Sequence, residues 1–139
     1  MSGELILIID DNLMNLKLEK LLLEVENYEI LTARDAKEAL QVLQTFIPKL
    51  ILMDLQLPGI DGAELTRQLK RVPQYRDIPV IIVTSYSQKG DEERARAAGC
   101  VDYFHKPIDT QALPLVIEKH IRKSADGPSA GEQNFYRNE

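Results

Sequence analysis

Apolar residues gather along this chain in five short runs, and each run is followed by a stretch with helical spacing. The runs are Leu5 to Asp10, Tyr28 to Ala33, Leu50 to Asp54, Val80 to Thr84 and Val101 to His105. After the first, Leu16, Leu23 and their neighbours repeat at helical spacing over Leu13 to Glu26, with Asn27 placed as a left-handed stop. The second helix is predicted over Ala36 to Phe46, with Asp35 as N-cap, Glu38 three residues on in a variant capping box, and Pro48 forcing the exit. The third spans Ala63 to Val72, after the turn-forming segment Leu57-Pro58-Gly59-Ile60-Asp61-Gly62. The fourth runs from Lys89 to Ala98, ended by Gly99. The last lies within Asp109 to Lys123, its start left open because Pro114 is disfavoured deep inside a helix.

Strict alternation of strand and helix predicts a doubly wound α/β fold, a mainly parallel five-stranded sheet with five helices over its two faces. Runs one, three and four are apolar at successive positions, as strands covered on both faces must be, and belong in the centre. Runs two and five contain polar positions and suit the edges, so right-handed crossovers give the order 2-1-3-4-5. From Ser124 the hydrophobic period ends. The expected organisation is one folded domain over 1–123, with 124–139 as an unstructured tail or linker. Phe135-Tyr136-Arg137 falls in that tail.

Composition narrows the function. The 139 residues carry 17 basic and 22 acidic side chains, and a net charge of −5 argues against direct binding to nucleic acid phosphates. No apolar run approaches the roughly 18 residues of a membrane span, and the N-terminus lacks a secretory pattern, so a cytoplasmic location is expected. Cys100 is the only cysteine, which excludes an intrachain disulfide and reads as a small buried apolar residue.

Open α/β sheets bind ligands beyond the carboxyl ends of their strands, above all where the strand order reverses. Here those ends carry Asp10 and Asp11, Asp54, Thr84 and Ser85, and His105-Lys106-Pro107. Neighbouring carboxylates about 4 Å apart repel by roughly 4 kcal/mol at a surface-like dielectric, more than one lysine offsets. A hard divalent cation such as Mg²⁺ answers that need, because it takes oxygen ligands and retains waters that phosphate oxygens can replace. Asp11 or Asn12 alone would be read as helix caps. Four strand ends with complementary groups point instead to a metal-assisted phosphoryl site.

The segments Ile8-Ile9-Asp10-Asp11-Asn12, Leu50 to Gly62, Pro79 to Thr84 and Tyr103-Phe104-His105-Lys106-Pro107 resemble the receiver domain of two-component response regulators, over roughly Glu4 to Arg122. The resemblance implies a flavodoxin-like fold and a signalling domain, not an enzyme, that promotes its own phosphorylation and dephosphorylation. It implies Asp54 as phosphoacceptor, and Asp10, Asp11, Asp54 and the Gln56 backbone carbonyl as ligands of Mg²⁺, for which Mn²⁺ could substitute. Lys106 then pairs with the acceptor and its phosphoryl group, Thr84 closes on that group, and Tyr103 is the aromatic switch, free to turn into space that Thr84 vacates. Gln56 and Tyr86 fall where receivers tune access of water to the phosphoaspartate. The implied partners are a histidine kinase or histidine phosphotransfer protein and a downstream effector protein.

Three alternatives stand beside this one. The chain could be a receiver cut from a hybrid kinase or multidomain regulator. It could be a small Mg²⁺-dependent aspartyl-phosphate hydrolase, but Gln56 stands where such enzymes carry a general acid. A flavodoxin-like cofactor binder would want backbone amides, not Asp-Asp-Asn, after the first strand. His105 and His120 read as incidental.

Overall fold

The computed structural model describes residues 3–125, so the predicted tail lies almost wholly outside the described residues. Five parallel strands, β1 (Leu5–Ile9), β2 (Glu29–Ala33), β3 (Leu50–Asp54), β4 (Val80–Thr84) and β5 (Asp102–His105), pair in the order β2-β1-β3-β4-β5. Between and after them run α1 (Leu13–Glu24), α2 (Ala36–Thr45), α3 (Gly62–Lys70), α4 (Asp91–Ala98) and α5 (Ala112–Ala125).

Period-two alternation sorts the central strands into two cores. Leu7 and Ile9 of β1, Ile51 and Met53 of β3, and Val80 and Ile82 of β4 pack with Ala39 and Leu43 of α2, Leu65 and Leu69 of α3, and Ala95 of α4. The alternate residues Ile6, Ile8, Leu50, Leu52, Ile81 and Val83 pack with Leu16 and Leu23 of α1 and Leu113, Ile117 and Ile121 of α5. Every residue of β3 and β4 is buried, whereas β2 and β5 are only partly covered, as their polar positions require of edges.

Caps fix the helix starts. Asn12 Oδ1 accepts from the Asn15 N–H at 3.0 Å, Asp35 Oδ1 from Glu38 at 2.8 Å, and Asp61 Oδ1 from Glu64 at 2.9 Å. Glu38 reaches back to the N–H of Arg34, one residue before the cap. Asn27 does turn left-handed, at φ 70°, three residues after α1 ends. The α4 start moves from Lys89 to Asp91, because Gly90 at φ 90° breaks the helical path before it. Pro114 is tolerated as the third residue of α5, where its missing N–H would have had no partner within the helix. Among the described residues no helix is long and apolar enough to cross a membrane.

Candidate functional site

The strand register carries the chemistry to one rim. Ile9 pairs with Met53, Asp54 with Val83, and Thr84 with His105, so the residues that follow β1, β3, β4 and β5 emerge level with one another. Backbone bonds continue the ladder one step further: the Asp10 N–H donates to Ala33, Leu55 to Val83, and Lys106 to Thr84. Asp10, Asp54 and Lys106 are thus held by the sheet itself, with a cis peptide between Lys106 and Pro107.

The Lys106 ammonium donates to Asp10 Oδ2 at 2.5 Å and to Asp54 Oδ2 at 3.4 Å, with both carboxylates buried. The remaining oxygens are also engaged, Asp10 Oδ1 by the Asn12 N–H at 2.9 Å and Asp54 Oδ1 by the Gln56 N–H at 3.1 Å. Asp11 is exposed, yet one carboxylate oxygen from each of Asp10, Asp11 and Asp54 lies within 4.8 Å of the others. An all-oxygen donor set of three carboxylates with one ammonium between them fits a hard divalent cation. Burial raises the Asp54 pKa, opposed by Lys106 and by the Gln56 amide, with Asp10 adding repulsion. Burial works to lower that of Lys106, but the bond to Asp10 and the charge of Asp54 outweigh it and leave the ammonium more basic than usual.

Thr84 is fully buried, and its hydroxyl donates to the Tyr86 carbonyl at 2.7 Å. The Gln56 amide donates to the same carbonyl at 2.7 Å, tying the loop after β3 to the loop after β4. The Gln56 side chain therefore does structural work at the place where a hydrolase would keep its acid. The ring of Tyr103, the expected switch, is buried, and its hydroxyl is hydrogen-bonded to Ser87 Oγ at 2.6 Å.

His120 is not incidental either. It is buried in α5 and its Nε2 lies 3.1 Å from Asp102 Oδ2, which joins α5 to β5, while Arg96 of α4 sits 3.6 Å from the other oxygen of Asp102. His105 is exposed and meets the Tyr103 ring edge-on at 5.6 Å. Cys100 is buried, as its residue type predicts.

One residue beside the rim was missed. Glu19 of α1 is only 4% exposed, and its Oε1 has no hydrogen-bond partner. Burial pushes its pKa from 4.5 to about 7, with Lys106 opposing and Asp10 and Asp54 adding repulsion. Its spacing from Leu16 and Leu23 was the available signal, because a polar residue at +3 and −4 from core leucines must face the core. The folded chain holds this proton more tightly than the unfolded chain. The stability Glu19 contributes is therefore complete below about 4.5 and is lost as pH rises through about 7. Glu19→Leu is accordingly expected to gain stability over wild type between pH 5 and pH 8, by up to about 3 kcal/mol. Urea denaturation at the two pH values reads the difference, and an equal difference at both would contradict the assignment.

The arrangement has counterparts in known proteins. The profile of the response regulator receiver domain matches residues 6–118. The polar-differentiation response regulator DivK of Brucella anthropi is 45% identical over 116 residues, covering 84% of this chain and 94% of that protein. A CheY-like response regulator receiver domain protein from Methanospirillum hungatei superposes with a TM-score of 0.84 at 29% identity, over 90% of this chain and 98% of the other. The receiver domain of a sensor histidine kinase from Pseudomonas aeruginosa, solved with a magnesium ion coordinated in its active site cleft, matches with a TM-score of 0.79 at 29% identity, over 87% and 99%. The chain belongs to the response regulator receiver domains of two-component systems. Within them it is DivK-like, a signalling domain whose sheet order and helix count are those expected from its sequence.

Proposed function

We propose that Asp54 is the phosphoacceptor of a cytoplasmic phosphorelay and takes its phosphoryl group from a phosphohistidine on a kinase or phosphotransfer protein. The observation that carries this reading is the Lys106 ammonium shared between Asp10 and Asp54, with Asp11 beside them. An Asp54 carboxylate oxygen forms the new bond to phosphorus while the phosphorus–nitrogen bond of the donor breaks, its electron pair staying on the imidazole. Lys106 neutralises charge on the transferring oxygens, where positioning and electrostatics dominate the barrier. Asp10, Asp11, Asp54 and the backbone carbonyl of Gln56 would hold Mg²⁺ or Mn²⁺, which supplies further neutralisation of the carboxylates and the phosphoryl oxygens.

The output would run through the loop after β4. A phosphoryl group on Asp54 competes with the Tyr86 carbonyl for the Thr84 hydroxyl. Loss of that bond would loosen a segment that also carries Ser87, the partner of Tyr103, and leave the Gln56 amide as the remaining bond to the Tyr86 carbonyl. The surface around α4 and β5 would then change for an effector protein.

The test is incubation with acetyl phosphate and Mg²⁺ followed by intact mass measurement. The expected product carries one phosphoryl group, forms only while divalent cation is free, and loses the group to hydroxylamine as an acyl phosphate does. No adduct at any Mg²⁺ concentration, or one stable to hydroxylamine, would defeat the reading.

A further inference from the structure

The buried residues of α1 are Leu16, Glu19 and Leu23, spaced so that all three face the sheet. A leucine at position 19 would extend the apolar stripe without burying a polar atom. The chain instead places a carboxyl there with Oε1 unpartnered. The charges that act on it are those of Lys106 from the loop after β5, Asp10 from the end of β1 and Asp54 from β3. Of these only Lys106 carries positive charge.

An ammonium has three N–H donors, and Asp10 and Asp54 engage two of them. Asp10 faces a conflict, because Oδ1 is occupied by the Asn12 amide and Oδ2 by the lysine. A cation that takes Asp10 must draw oxygen away from Lys106. A buried ammonium deprived of one carboxylate needs another nearby.

We propose that Glu19 is a positioning residue for this site: it offers Lys106 a second anchoring carboxyl from the α1 side, so that Asp10 can release the ammonium to a divalent cation. The inference rests on the metal-assisted reading of the rim given above.

Calorimetric titration with Mg²⁺ alone at pH 8 tests it on wild type, Glu19→Gln, Glu19→Leu, Lys106→Met and the Glu19→Gln/Lys106→Met pair. Both Glu19 variants should bind Mg²⁺ several-fold more weakly. On the Lys106→Met background the added Glu19→Gln change should alter affinity by no more than about twofold, since the competitor it relieves is gone. In phosphorylation by acetyl phosphate, Glu19→Gln should need correspondingly more Mg²⁺ for half-maximal rate while reaching the wild-type maximum. A merely structural glutamate would move stability and neither of these readouts.

Unchanged Mg²⁺ affinity in the Glu19 variants overturns the proposal, as does an equal loss with and without Lys106. Should Glu19→Gln fail to fold, Glu19→Leu decides the case, because it removes the unmatched carboxyl and packs as its neighbours do. A wild-type chain that binds no Mg²⁺ removes the proposal together with the reading beneath it, whereas normal wild-type binding with unaffected variants removes the Glu19 role alone.

Discussion

Asp54→Asn is expected to gain no phosphoryl group under conditions in which the wild-type chain is expected to gain one, and to remain folded. The first half follows from chemistry. A carboxylate offers a charged oxygen to phosphorus, while an amide oxygen is neutral and would leave a cationic adduct. The second half follows from opposing effects at one buried position. Burial already raises the Asp54 pKa, so an uncharged side chain of the same shape removes a desolvation cost. Against that, the amide nitrogen can fall 3.4 Å from the Lys106 ammonium, donor facing donor. Lys106 keeps its shorter bond to Asp10 at 2.5 Å, and the Gln56 N–H keeps an oxygen to donate to if the amide orients that way. The two effects nearly offset, and the expected change in stability is within about 1 kcal/mol. Intact mass and urea denaturation on the same sample separate loss of chemistry from loss of fold. An adduct on Asp54→Asn would place the acceptor elsewhere.

The rim was legible because strand ends are legible. Runs such as Leu50 to Asp54 and Val80 to Thr84 stop where apolar residues give way to chemistry, and a parallel sheet sets such stops side by side. The cap at Asp35 was legible from residue type and spacing, because it forms only local bonds, whereas Asp61 read only as part of a turn and the structure shows it capping α3. What escaped depends on partners far apart in sequence. His120 meets Asp102 across 18 residues, Ser87 meets Tyr103 across 16, and Arg94 reaches Asp61 at 2.8 Å from a different helix. No local pattern encodes those meetings. Glu19 is a third kind of case: its place in the α1 stripe is visible, but Lys17, Lys20 and Glu24 of the same helix are exposed, so residue type alone assigns a charged side chain there to solvent.

The Tyr103–Ser87 bond also changes where a switch would act. The ring is already buried, and the loop after β4 is held by two bonds to the Tyr86 carbonyl and by the bond of Ser87 to Tyr103. Thr84 is joined to that loop directly. A phosphoryl group on Asp54 would therefore act first on the Tyr86–Ser87 segment and only through it on β5.

Gly62→Ala is expected to destabilise the chain and disturb Asp54 together, although residue type alone argues the reverse. Gly62 opens α3 just after the N-cap Asp61, where alanine is the better helix former by up to about 1 kcal/mol. Its φ is not positive, so no backbone strain stands in the way. Contact decides the sign. A Cβ on Gly62 would collide with the backbone oxygen of Asp54 and lie 3.1 Å from the Cα of Leu55, and neither atom can swing aside as a side chain does. The Gly62 N–H is also bonded to the Leu55 carbonyl at 2.6 Å, so α3 cannot retreat without losing that bond. Relief requires moving either the helix or the end of β3, at a cost of about 1–3 kcal/mol beyond the helix-propensity gain. Because the end of β3 carries Asp54, phosphorylation by acetyl phosphate should slow as well. Gly59→Ala supplies the contrast, since a Cβ there meets nothing within 4 Å and the only penalty is its φ of +86°. That variant should lose about 1–2 kcal/mol and keep the wild-type rate. If Gly62→Ala proved as stable and as reactive as wild type, the close docking of α3 on the acceptor strand would be wrong.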